Sequence, residues 1–280
     1  MEDRSSFPGI WQAIPFLILL LFLLLICGSL AEISLGVLGL EPNSLATLAI
    51  GNIMAFALVI PFALLFTRRP LRETLPFRAV SPEIWAPISL VVIGWNIVAS
   101  ELDNLLRYVL PIPDWFEEVL RELISADQNH YLQFLVLVVI APWTEELFFR
   151  GVIFQGFRRR YSLFTAAWVS ALLFGLFHAN PWQFPSAFVM GGILAWWCAR
   201  TGSLWPALFA HALNNGLPLL IGPLGLEIPG YTVSETGATF QPIWFDALGI
   251  LLFVAGLIWV ARKLPGGKPS ELSAGWEPVQ

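Results

Sequence analysis

The sequence predicts an all-α polytopic membrane protein of about eight transmembrane helices. Three observations lead there. Of the 280 residues, 57% are hydrophobic, and the mean hydropathy is +0.72. Only 12% are charged, about half of the ~25% that a soluble domain uses to cover its surface. The apolar residues also come in continuous runs, most near the ~20 residues that a helix needs to cross a bilayer. Barrel strands would be short and would alternate apolar with polar.

Taken in order, the first run covers about 14–31. The stretch Gly28-Ser29-Leu30-Ala31 could serve as a signal-peptide cleavage site, but Met1-Glu2-Asp3-Arg4 is acidic on balance and further spans follow. An uncleaved first span is therefore expected. The next runs are about 45–66, 85–98, 131–157, 163–178, 184–199, 204–221 and 243–260. Glu101 and Asp103 are expected to close the third run early, near Val98. Trp11, Trp85, Trp182, Trp205 and Trp244 fall near span ends, where aromatic rings favour the interface.

Lysine and arginine set the orientation. With both termini inside, the inner segments hold Arg4, Arg68, Arg69, Arg72, Arg78, Arg158, Arg159, Arg160, Arg200, Arg262, Lys263 and Lys268, which is 12 of the 15 basic residues. The outer segments hold only Arg107 and Arg121, and Arg150 lies within a span. The acidic connector 111–129 repeats Trp115, Phe116, Val119, Leu120, Leu123 and Ile124 at near-helical spacing, with Pro113 before Asp114. It reads as a short amphipathic helix at the outer interface or as a solvated connector. The Gly-, Pro- and Thr-rich stretch 222–241 reads as an outer loop. The tail has too little apolar content to fold and is expected to be disordered. This gives four regions: helices 1–3 with the acidic connector (1–130), a core of helices 4–7 (131–221), outer loop and helix 8 (222–262), and tail (263–280).

The net charge of −5 gives no case for nucleic acid. Cys27 and Cys198 lie far apart in apolar runs and read as membrane-core side chains. Without a CxxC, cysteine ligation of a metal is not expected.

Polar groups in apolar runs carry the functional signal, because ionisable residues at membrane depth cost roughly 2.5–3.5 kcal/mol each on insertion scales. Glu145, Glu146 and Arg150 sit in the fourth run. Glu146 and Arg150 are four apart with the acid first, so they share a helix face and can pair. Glu145 is rotated away by about 100° and lacks that partner, which makes it the better candidate for a general base. An ion-pair cluster that only holds helices together explains the three charges equally well. His178 follows Phe174 by four residues in the fifth run. It lies as far beyond the basic turn 158–163 as Glu145 lies before it, so an antiparallel hairpin places the two at equal depth. His211 and Asn215 stack on one face of the seventh run. They could donate to a developing oxyanion, or form ordinary interhelical hydrogen bonds worth ~0.6 kcal/mol.

Together, Glu145-Glu146-x-x-x-Arg150, Phe174-x-x-x-His178 and His211-x-x-x-Asn215, in that order on three spans, resemble the type II CAAX prenyl protease and bacteriocin-processing family of intramembrane proteases. The resemblance covers about residues 131–221. It implies helices that enclose an intramembrane catalytic cavity, with Glu145 as general base. Glu145 and His178 would activate a water, His211 and Asn215 would stabilise the oxyanion, and Glu146, Arg150 and Phe174 would support them. Glu145, His178 and His211 could also supply three ligands to a zinc ion. A Glu–His pair activates water without a metal, however, and no cofactor is required on the favoured reading. The implied partners are a peptide or membrane-protein substrate and the bilayer. The Pro- and Trp-rich style suits a bacterial plasma membrane, and the charge asymmetry is expected to put both termini in the cytoplasm. A proton-coupled transporter and a non-catalytic scaffold or immunity protein are the alternatives. The former is disfavoured by the lack of a repeated half.

Overall fold

The computed structural model describes residues 7–39, 44–67, 69–118, 129–233 and 238–264. Eight long helices lie within them, one for each expected span: α1 (Ile10–Val37), α2 (Ser44–Phe66), α3 (Trp85–Val109), α4 (His130–Arg158), α5 (Leu163–Phe177), α6 (Phe184–Thr201), α7 (Trp205–Ile221) and α8 (Ile243–Lys263). Stretches containing α1, α2, α3, α4 and α8 are long and apolar enough to cross a membrane. The other three have 15, 18 and 17 residues. At ~1.5 Å per residue they reach only about 22–27 Å, short of a ~30 Å hydrocarbon core.

One expectation is corrected. The third helix does not end near Val98 but runs on to Val109. Its acidic residues are tolerated because each has a partner. Asp103 pairs with Arg107 at 2.6 Å. Glu101 Oε2 accepts from Asn104 Nδ2 at 3.0 Å and from the Gln241 backbone N–H at 3.0 Å. Asn104 also donates to the Gly230 carbonyl at 2.7 Å. The acidic turn thus fastens the 222–241 connection to α3. In the connector after α3, a helical turn begins at Asp114 as expected, with the Phe116 and Glu117 amides bonded to the Pro113 carbonyl. The remainder, 119–128, lies outside the described residues, as does the tail from 265 onward.

Helix pairs approach closely where glycine removes a side chain. A Cβ on Gly94 of α3 would lie 2.7 Å from the Gly249 carbonyl oxygen of α8, and one on Gly256 of α8 would lie 2.7 Å from the Val91 nitrogen. Close backbone approach is what small residues supply to membrane helix packing.

The two ends of the bundle differ in charge. One end gathers Glu73 with Arg159 at 2.7 Å and Lys263 with Glu83 at 2.6 Å. There, too, Arg69 donates to the Phe7 carbonyl at 2.8 Å, and Ser203 to that of Arg78 at 2.7 Å. Burial, with Arg159 adding to it, pulls the Arg69 guanidinium down to about 10. The opposite end gathers the close of α3, the α5–α6 turn and the close of α7. There Trp182 Nε1 donates to the Leu110 carbonyl at 2.7 Å.

Gly94→Val is expected to destabilise the folded protein by about 1–3 kcal/mol through overpacking. Thermal unfolding in detergent checks this, and an unchanged midpoint would contradict the close α3–α8 approach.

Candidate active site

The site is built on α4, whose helical geometry is irregular. Two π-helical stretches, Phe134–Ile140 and Leu147–Ile153, flank the α-helical turn Ala141–Glu146 that carries both glutamates. Such π segments are frequent at functional sites because they free backbone groups and re-aim side chains. Pro142 contributes. The Ala141 amide bonds to the Val136 carbonyl five residues back. In that register the Leu137 carbonyl would need an amide from residue 142, and proline has none. Asn215 Nδ2 of α7 donates to it instead, at 3.0 Å. Further side-chain bonds reach carbonyls lower down: Gln155 Nε2 donates to the Arg150 carbonyl at 3.1 Å, and Ser170 Oγ adds a bond at 3.3 Å to the Phe149 carbonyl, which the Phe154 amide also reaches.

Glu146 and Arg150 form the expected pair, at 3.0 Å with both side chains fully buried. Arg150 also donates to the Gly191 carbonyl of α6 at 3.3 Å, and its guanidinium lies 4.1 Å from the centre of the Phe174 ring. That face suits a cation. A Cβ on Gly191 would lie 3.2 Å from the Arg150 Nη2 atom and 3.1 Å from the Ala171 Cα, so glycine leaves the guanidinium its space.

His211 joins the two glutamates. Its Nδ1 lies 2.8 Å from Glu146 Oε1 and its Nε2 lies 3.8 Å from Glu145 Oε2. Because a carboxylate accepts, the Nδ1 contact makes that nitrogen the donor in the neutral ring and leaves Nε2 as the atom facing Glu145. Glu146 thus serves Arg150 and His211 at once, a second role that helix spacing alone did not reveal. Glu145 is buried at 7% exposure, and its Oε2 has no hydrogen-bond partner among the described residues.

His178 follows α5 directly, with Ala179 at φ +50° closing the helix behind it. Its Nδ1 lies 2.9 Å from the Phe174 carbonyl, which fixes Nδ1–H as donor and leaves Nε2 the acceptor. Phe174 packs edge-on against both histidines, with ring centres at 4.9 Å from His178 and 5.7 Å from His211. Phe149 and Phe174 stand equally far from the α4–α5 turn and touch, at 5.2 Å.

His178, His211, Asn215 and Phe174 line one cavity of about 410 Å³, and neither glutamate is among its lining residues. Glu145 approaches it through His211. The cavity wall also holds Asn96, Asn214 and Tyr231, with Tyr231 Oη donating to Asn96 Oδ1 at 2.8 Å. Sequence reasoning did not single these out. Asn96, and Asn52 beside Thr144 at 2.8 Å, are polar residues in apolar runs and answer to the same signal as the glutamates.

The zinc-ligand set named from the resemblance does not assemble. Among the described residues, no three His, Cys, Asp or Glu side chains converge as metal ligands. Glu146 takes up His211 Nδ1, and the Phe174 carbonyl takes up His178 Nδ1, so each ring could offer an ion only its Nε2.

Arg150→Ala is expected to cost about 3–5 kcal/mol, because it leaves Glu146 buried without its counter-charge. Adding Glu146→Gln should recover part of that loss. Unfolding midpoints of the single and double variants check it, and equal instability of the two would refute the charge explanation.

Comparison with known proteins agrees with the motif resemblance. Residues 127–217 match the family model of the type II CAAX prenyl endopeptidase Rce1-like proteins. YdiL of Bacillus subtilis (strain 168), provisionally named a membrane peptidase, is 32% identical over 84 residues, covering 30% of this chain and 34% of that protein. The uncharacterized protein YyaK of the same organism is 33% identical over 143 residues, covering 46% of this chain and 48% of its own length. The matches thus span half or less of these relatives. No solved structure matches the chain. Over residues 127–217, which hold all three motifs, the chain is therefore similar to the Rce1-like type II CAAX prenyl endopeptidases.

Proposed function

We propose that this protein is an intramembrane endopeptidase that hydrolyses a peptide bond with a glutamate-activated water. The observation that supports this best is the convergence of Glu145 and Glu146 on His211 at the wall of a cavity shared with His178 and Asn215. A buried carboxylate whose Oε2 is uncommitted among the described residues, beside a histidine held in one tautomer, suits proton abstraction from water.

In this reading Glu145 takes a proton from water while Nε2 of His178, left free by the Nδ1–carbonyl bond, helps to hold that water. The hydroxide oxygen attacks the peptide carbonyl carbon, and the carbonyl oxygen takes up the negative charge. The second N–H of the Asn215 amide donates to that oxyanion, joined by His211 Nε2–H when the ring carries a proton on both nitrogens. Collapse breaks the C–N bond, and the proton held by Glu145 passes to the leaving amine. Glu146 keeps His211 oriented, Arg150 neutralises Glu146, and Phe174 packs against both histidines and the guanidinium. No step is routed through a metal. The substrate is a peptide or a membrane protein, of CAAX type or a peptide under maturation. The setting is the bacterial plasma membrane, with both termini cytoplasmic.

Glu145→Gln is expected to lower peptide cleavage in detergent or liposomes by about 10²–10⁴-fold, the usual contribution of a general base, while the unfolding midpoint stays near that of wild type. Cleavage that persists in this variant would sink the assignment. Chelator treatment of wild type is expected to leave the rate unchanged, and a loss restored by zinc would replace the metal-free mechanism.

A further inference from the structure

The position of the cavity, set against the charge of the two bundle ends, bears on where the substrate comes from. The lining residues fall at one set of helix ends. Ser100 lies in the second half of α3, Gln183 and Ser186 lie at the start of α6, Pro218 and Gly222 lie at the close of α7, and Tyr231 lies in the connection beyond it. Gln183, Pro218 and Gly222 are exposed, whereas His211 is buried, so the cavity opens at this end and runs inward to the histidines. Arg69, Arg72, Arg78, Arg159, Arg200 and Lys263 belong to the other set of ends, the one that also carries the Glu73–Arg159 and Glu83–Lys263 pairs. Basic residues flanking transmembrane helices stay on the cytoplasmic side. The mouth and the arginine-rich end are therefore on opposite faces of the membrane.

The lining has a second property. Among the described residues it contains amides, hydroxyls, apolar side chains and two histidines, but no Asp, Glu, Lys or Arg. A charged residue drawn into it would lose hydration and meet no opposite full charge from those four residue types. A terminal carboxylate would likewise find no lysine or arginine on the described cavity wall.

We propose that the cavity takes its substrate from the non-cytoplasmic face, as an uncharged internal stretch of a polypeptide that has already crossed the membrane. The side of entry stands on the cavity's position and the charge asymmetry, and the substrate class rests on the protease reading above, within which it selects a peptide under maturation over a CAAX-type C-terminus.

The test begins with accessibility. Full-length Gln183→Cys and Arg72→Cys, made in cells and compared with wild type, whose Cys27 and Cys198 are buried, are treated with a membrane-impermeant maleimide. Gln183→Cys should label in intact cells with no increase on permeabilisation, and Arg72→Cys should label only after permeabilisation. The reverse pattern, or a Gln183→Cys that fails to label while Arg72→Cys does, overturns the proposed side. A neutral peptide is then added outside sealed right-side-out vesicles, beside a version with one lysine placed in the cleaved stretch. Cleavage of the neutral peptide, and its loss or a raised KM in the lysine version, is the expected result. Equal cleavage of both overturns the substrate class. No cleavage of either peptide from either face counts against the protease reading, and the side of the mouth is then decided by the labelling alone.

Discussion

The burial of Arg150 is the constraint on which the rest of the centre depends. A guanidinium at zero exposure in the middle of a membrane helix is tolerated only with a counter-charge and hydrogen-bond acceptors close by. Glu146 supplies the charge from one turn away, Gly191 supplies a carbonyl from α6, and Phe174 supplies a ring face from α5. Three helices are therefore held around one cation. The same Glu146 oxygen reaches His211, which adds α7 to the set. The proposed chemistry borrows a network that packing already requires: both glutamates keep an Oε2 without a hydrogen-bond partner among the described residues, and Glu146 is set apart by its Oε1, which binds Arg150 and His211.

The π-helical stretches of α4 belong to the same arrangement. The widened helix before Ala141–Glu146 leaves the Leu137 carbonyl facing Pro142 without an amide, and Asn215 of α7 fills it, while side chains of α4 and α5 add bonds to the Arg150 and Phe149 carbonyls. Asn215 is bound into α4 in this way, so its amide is part of the scaffold and has one N–H left for a ligand. An irregular helix in lipid is stable only when its freed groups are re-satisfied internally, and here that requirement positions a residue at the cavity wall.

Much of this was legible along the chain. Polar residues in apolar runs pointed to Glu145, Glu146, Arg150, His178, His211 and Asn215, and the i,i+4 rule paired Glu146 with Arg150. The early stop at Val98 failed because composition registers Glu101 and Asp103 as costs without seeing Arg107, Asn104 and Gln241, which satisfy them. Of the partners that were missed, Asn96 and Asn52 followed the same polar-in-lipid signal that found the glutamates, one residue at a time and without a motif around them.

The sequence by itself determined the class of molecule, the eight helices, the orientation that its charges favour and the motif residues. Hydropathy, charge asymmetry and helical spacing are properties of one chain segment at a time. Only the tertiary structure decided that His211 bridges both glutamates, that the named zinc-ligand set does not converge, and that the cavity opens away from the arginines. Those facts depend on which atoms of distant helices meet. Contacts across helices are set by close glycine approaches and by carbonyls freed in π turns, and neither can be read from spacing along a single run.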